Sequence, residues 1–104
     1  MTRLILAAAT LALGAATTPA LASLELAQKN ACMACHAADK KLVGPSYADV
    51  AKKYSGQKDA VDALKASIKA GGSGKWGPVP MPPQAQLSDA DLTTLATWIL
   101  GGAK

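Results

Sequence analysis

Apolar positions recur with a helical period in four stretches of the chain, and nowhere with the two-residue period of a strand. Ser23 is placed to cap a first helix with Leu24, Ala27 and Ala31 on one face. Ser46-x-x-Asp49 has the form of a capping box with Asp for Glu, opening a short helix that carries Val50 and Tyr54 and stops at Gly56. A third helix is predicted from about Asp59 to Ala70, with Val61, Leu64 and Ile68 on its apolar face and Gly71-Gly72 as terminator. Ser88-x-x-Asp91 opens the last, with Leu92, Leu95, Ala96 and Ile99 at helical spacing and Gly101-Gly102 beyond. The fold class expected is all-α, about four short helices, the first and last packing through their Ala and Leu faces. Residues 38–45 read as loop. Residues 71–87 lack periodicity and are rich in Gly and Pro, and ordered loops of that length are usually functional.

One apolar run fits no amphipathic helix. Behind Met1-Thr2-Arg3, Leu4 to Ala16 is apolar except for Thr10, and Ala20-Leu21-Ala22 follows Pro19. A basic start, a short apolar stretch and an A-x-A site make a secretory signal peptide; a membrane span needs about 20 residues. Residues 1–22 are therefore expected to be cleaved, leaving one domain, 23–104, exported to the periplasm with no membrane anchor. That domain carries ten Lys against seven Asp plus Glu, no Phe, two Trp and two Tyr. Much of its apolar content is Ala, so it is short of core volume, a deficit that small domains make up with a disulfide, a metal or a prosthetic group.

The chemistry sits in Cys32-Met33-Ala34-Cys35-His36, a C-x-x-C-H run that holds both cysteines and the single histidine of the chain. This is the signature of covalent haem c attachment: two thiols add across the haem vinyl groups and His36 presents an imidazole to the iron. On a helix, positions i and i+3 share a face, which would aim both sulfurs at one porphyrin edge. A Cys32–Cys35 disulfide would close too small a loop to stabilise much. A thioredoxin-like pair would need a βαβ context. A zinc site would need four ligands, and no second Cys or His cluster exists.

The other side of the iron is either open or held by a second side chain. Met33 is inside the attachment motif and Met1 belongs to the leader. Met81 remains, between prolines in Gly77-Pro78-Val79-Pro80-Met81-Pro82-Pro83, where fixed φ angles stiffen the loop. A thioether held there suits axial ligation better than core filling. An open site, as in a ligand-binding haem protein, is the alternative.

Taken together, these features resemble a class I c-type cytochrome, of the short bacterial c-551/c-552 type, over essentially all of 23–104. The motif lies near the mature N-terminus, unlike that of the four-helix cytochromes. Leu42-Val43-Gly44-Pro45-Ser46-Tyr47 matches the segment in which, the resemblance implies, the Pro45 carbonyl accepts the His36 N–H. Trp76 to Pro83 is the most specific match; the resemblance implies that Trp76 hydrogen-bonds a haem propionate and that Met81 is the distal ligand. Two positions depart from the pattern. Ser67 stands where many relatives carry an Arg near a propionate. Gln84 stands where relatives often carry an Asn that donates to the Met sulfur.

His/Met ligation leaves no coordination position for a substrate, so the expected function is single-electron transfer and not catalysis. The rival is a haem enzyme or gas-binding protein in which Met81 is displaced. The resemblance places the contact surface at Met33, Ala34, Leu42, Val43, Pro78, Val79, Pro80, Pro82 and Pro83, with Lys29, Lys40, Lys41 and Lys75 around it. Its partners would be redox proteins: a quinol-oxidising complex or other donor, and a nitrite reductase, oxidase or peroxidase as acceptor. The carrier is expected to be a monomer with no nucleic-acid partner.

Overall fold

The computed structural model describes residues 19–104. Four α-helices follow in order: α1 (Pro19–Lys29), α2 (Tyr47–Tyr54), α3 (Ala60–Ala70) and α4 (Asp89–Leu100), with a single 3-10 turn at Cys32–Ala34. Among the described residues there is no strand, only two isolated bridges. Most of the predicted leader lies outside the described residues.

Both predicted serine N-caps form. The Ser46 hydroxyl accepts from the Asp49 N–H at 3.1 Å, and the Ser88 hydroxyl accepts from the Asp91 N–H at 3.1 Å. Asp49, Asp89 and Asp91 put negative charge in the first turns, where the helix dipole favours it. At the other end of α4 the Gly102 N–H reaches Ile99 O and the Ala103 N–H reaches Trp98 O, the paired bonds of a Schellman stop.

The first helix differs from its sequence-based expectation. In the uncleaved chain α1 covers Pro19–Lys29 among the described residues, so Ser23 lies within it; its buried hydroxyl donates back to the Pro19 carbonyl at 2.7 Å. Ala20-Leu21-Ala22 are good helix formers. Nor does Ala31 join the α1 face. It is exposed and turns out of the helix at φ 60°.

Helix α4 is the centre of the packing and lies against α1, α2 and α3. Its Leu92, Leu95, Ala96, Trp98 and Ile99 are all buried. They meet Ala27 of α1, Tyr47, Val50 and Tyr54 of α2, and Leu64 and Ile68 of α3. The expected α1–α4 pairing is present, but α2 and α3 contribute the larger side chains. This leaves the 3-10 turn on one side and the Gly/Pro loop, 71–87, on the other, facing a common cavity.

Candidate haem site

The attachment motif is not α-helical, as the sequence alone suggested. Cys32 to Ala34 forms a 3-10 turn, closed by Cys35 N–H to Cys32 O at 3.2 Å and His36 N–H to Cys32 O at 3.0 Å. The consequence is unchanged, because at three residues per turn positions i and i+3 eclipse each other. Both thiols are free, half-buried, and line one cavity. Burial pushes the Cys32 thiol above its ordinary pKa.

His36 is held from three directions. Its Nδ1–H donates to the Pro45 carbonyl at 2.8 Å. That fixes the tautomer and leaves the Nε2 lone pair for a metal. The imidazole stacks on Tyr47, with centroids 5.3 Å apart at 21°. Gly44 backs the ring so closely that a Cβ there would stand 2.5 Å from His36 Cε1. Gly44 itself is pinned, its N–H to Cys35 O at 2.7 Å and its carbonyl to the Leu42 N–H at 3.1 Å.

Met81, on the loop, lines the same cavity as His36, Cys32 and Cys35. Its N–H donates to Gly72 O at 2.8 Å and its carbonyl accepts from the Gly72 N–H at 3.0 Å. The loop is tied again where the Gln84 N–H reaches the Ile68 and Lys69 carbonyls, both at 3.2 Å. Gly71 makes the return tight: it sits at φ +65°, and a Cβ there would meet the Met81 carbonyl oxygen.

The cavity holds about 420 Å³ and is walled largely by apolar side chains from all of α2, α3, α4, the motif and the loop. Such volumes suit a cofactor-sized ligand. Among the described residues no group of three or more His, Cys, Asp or Glu side chains could hold a bare metal ion. An iron carried in a porphyrin asks less of the chain: two thiols, one imidazole and an opposite ligand, which is what lines these walls.

The remaining predicted residues fall into place unequally. Trp76 lines the cavity and is 38% exposed, with Lys53 Nζ 4.6 Å from its ring centroid. Gln84 does not line it. Its side-chain Nε2 donates to Pro82 O at 3.1 Å and its Oε1 accepts from Gln86 at 2.7 Å. The sequence reading did not bring a second group of polar side chains together. Tyr54, Ser67 and Lys75 all line the cavity, and Lys75 Nζ donates to the Tyr54 hydroxyl at 2.8 Å. Tyr47 and Tyr54, seven residues apart on α2, share a face; that spacing was the available signal.

The model of the Cytochrome c family matches residues 22–103. The chain is 61% identical over 79 residues to cytochrome c-552 of Hydrogenobacter thermophilus, covering 76% of this chain and 80% of that one. It is 55% identical over 82 residues to cytochrome c-551 of Allochromatium vinosum, covering 79% and 87%. The crystal structure of wild-type Nitrosomonas europaea cytochrome c552 superposes with a TM-score of 0.74 at 49% identity, over 76% of this chain and 98% of that one.

Proposed function

Because the chain belongs to the cytochrome c family, as a small electron carrier with one covalently attached haem c and not an enzyme, we propose how its own residues perform that task. Cys32 and Cys35 would carry the thioether bonds, and His36 Nε2 and the Met81 thioether would ligate the iron. The observation that carries this reading is the convergence of the only two cysteines, the only histidine and Met81 on one apolar cavity.

When bound, the haem supplies a one-electron iron couple whose potential His/Met ligation raises. The chain supplies position. Pro45 O orients the imidazole and keeps its proton on Nδ1, which raises the basicity of Nε2. The Gly72–Met81 backbone pair and the flanking prolines hold the thioether in register. The buried faces of α2, α3 and α4 exclude water. Trp76 stands at the cavity wall, where its indole N–H is available to a haem propionate. Gln84 donates one amide N–H to Pro82 O and so braces the loop that carries Met81.

The carrier works as a periplasmic monomer, delivered there by the signal peptide. None of the helices among the described residues is long and apolar enough to cross a membrane. Val43 and Val79, 56% and 58% exposed, line the cavity mouth and form with Leu42 an apolar rim. A patch of that size suits brief encounters with a donor such as a quinol-oxidising complex and an acceptor such as a nitrite reductase, oxidase or peroxidase. Lys40 and Lys41 beside it favour acidic partners.

Two measurements test the assignment. Acid–acetone extraction should leave the colour on the protein; a colourless pellet would refute attachment through Cys32 and Cys35. In Met81→Ala the haem should stay attached, the potential should fall and cyanide or carbon monoxide should bind. Retention of the Met–iron charge-transfer band would exclude Met81, and carbon monoxide binding to the unaltered protein would favour gas binding over electron transfer.

A further inference from the structure

At the cavity end next to Trp76, the side chains make a site for an anion that the chain itself does not supply. Tyr54 is buried, and its hydroxyl accepts from Lys75 Nζ at 2.8 Å, with the ammonium 5.0 Å from the ring centroid. Ser67 lines the cavity with it. Lys53, one residue before Tyr54, lies over Trp76. No Asp or Glu lines the cavity. Among the described residues the ion pair is Lys65–Asp89, which does not line the cavity, so the Lys75 ammonium has the Tyr54 hydroxyl and no carboxylate as its partner.

We propose that Lys75, held by Tyr54, is the cation that binds a haem propionate in this protein, taking over from the α3 position where Ser67 stands. The proposal rests on the haem reading given above. It assigns a role to a residue outside the attachment and ligation machinery. A serine cannot neutralise a carboxylate, whereas an ammonium can donate to it and lower its pKa. The loop brings that ammonium to the same cavity wall, against a phenol that is a hydrogen-bond donor in its own right.

The electrostatics of this end agree with the geometry. Burial alone would raise the Tyr54 phenol, yet the Lys75 hydrogen bond and neighbouring Ser67, with the Lys75 and Lys53 charges, bring it below its ordinary value. The groups facing the site are few. Helix α2 offers Tyr54, with Lys53 behind Trp76; α3 contributes only Leu64, Ser67 and Ile68, and α4 only Leu95 and Ile99. The other lysine on the cavity, Lys41, bridges to His36 at the opposite wall's base and belongs to the imidazole side.

The test is the reduction potential of the holoprotein as a function of pH, in which propionate ionisation appears as an inflection. Lys75→Met should move that inflection upward by about one pH unit or more, the effect of losing a neighbouring opposite charge. Lys75→Arg should keep it near its original position, and adding Ser67→Arg to Lys75→Met should bring it back. An inflection unmoved in Lys75→Met, or moved equally in Lys75→Arg, would overturn the proposal. Mass and absorbance of each variant report haem attachment separately. A protein without covalent haem would sink the haem reading, while an attached haem with an unmoved inflection would sink only Lys75.

Discussion

Gly44→Ala is the substitution that most directly tests how the site is built. A Cβ at position 44 would stand 2.5 Å from His36 Cε1, 2.8 Å from Nδ1 and 3.1 Å from Nε2. Neither side can yield easily. The ring is fixed by Pro45 O on one edge and Tyr47 on its face, and the Gly44 backbone is bonded to Cys35 and Leu42. Overpacking of this kind costs about 1–3 kcal/mol. If the ring moves off Pro45, the lost hydrogen bond adds about 1 kcal/mol. A total of about 2–4 kcal/mol corresponds to a fall in the melting temperature on the order of 8–30 °C for a domain of this size. Thermal unfolding of the ferric holoprotein, followed by circular dichroism and by the haem spectrum, reads both effects. Gly101→Ala is the matched control: φ is −82° and its Cβ would meet only ordinary contacts at 3.4 and 3.6 Å, so little should change. If Gly44→Ala melts within a few degrees of the control with an unaltered spectrum, the Gly44–His36 contact does not fix the imidazole.

Three further outcomes follow from the same structure. Gly71→Ala should destabilise the Met81 loop by about 1–3 kcal/mol from backbone strain alone; its φ is +65° and its Cβ would also come to 2.7 Å from Pro83 N and 2.8 Å from Pro82 C. A Met–iron charge-transfer band of undiminished strength in that variant would count against the loop as the device that seats the thioether. Burial raises the Tyr47 phenol, so its contribution to stability is complete below the ordinary phenol pKa of about 10 and is lost as pH rises beyond it. Alkaline titration by phenolate absorbance should show Tyr47 ionising only with unfolding, and Tyr47 ionising reversibly in a folded protein would contradict this. The Cys32→Ala/Cys35→Ala apoprotein should be largely unfolded, since helices of 8–12 residues are marginal alone. A cooperative transition with full helix content would mean that the core suffices without haem.

Much of the fold was legible because its signals are local. Ser46 and Ser88 cap helices through bonds to residues three positions ahead, and glycines end α3 and α4 where the periodicity stops. His36 and both cysteines are adjacent in sequence, so their convergence required no knowledge of the fold. The features that escaped depend on distance. Lys75 meets Tyr54 across 21 positions, through a loop without periodicity. The backbone pair between Gly72 and Met81 has no side-chain signature. Gln84 is a further case: its side-chain bonds to the Pro82 carbonyl and the Gln86 amide were not legible in the sequence. The start of α1 was missed because a serine ahead of an apolar face marks a cap only if the preceding residues leave the helix. In the uncleaved chain Pro19 to Ala22 stay in it.

Core and site cannot be separated in a chain this short. Tyr47, Val50, Tyr54, Leu64, Ile68, Leu95 and Ile99 are all buried core residues, and every one also lines the cavity. Tyr47 links the two directly, stacked on His36 on one side and 5.3 Å from Trp98 of α4 on the other. A group filling the cavity therefore contacts three of the four helices at once, and whatever binds only the folded state adds its binding free energy to stability. Covalent attachment, proposed through Cys32 and Cys35, would remove dissociation as a competing route. Substitutions at the ligands should then couple energetically with those in the helices behind them, because they share partners. The scarcity of large apolar residues in the sequence and the breadth of the cavity are thus one fact: the volume that the side chains leave unfilled is the volume in which the electron is carried.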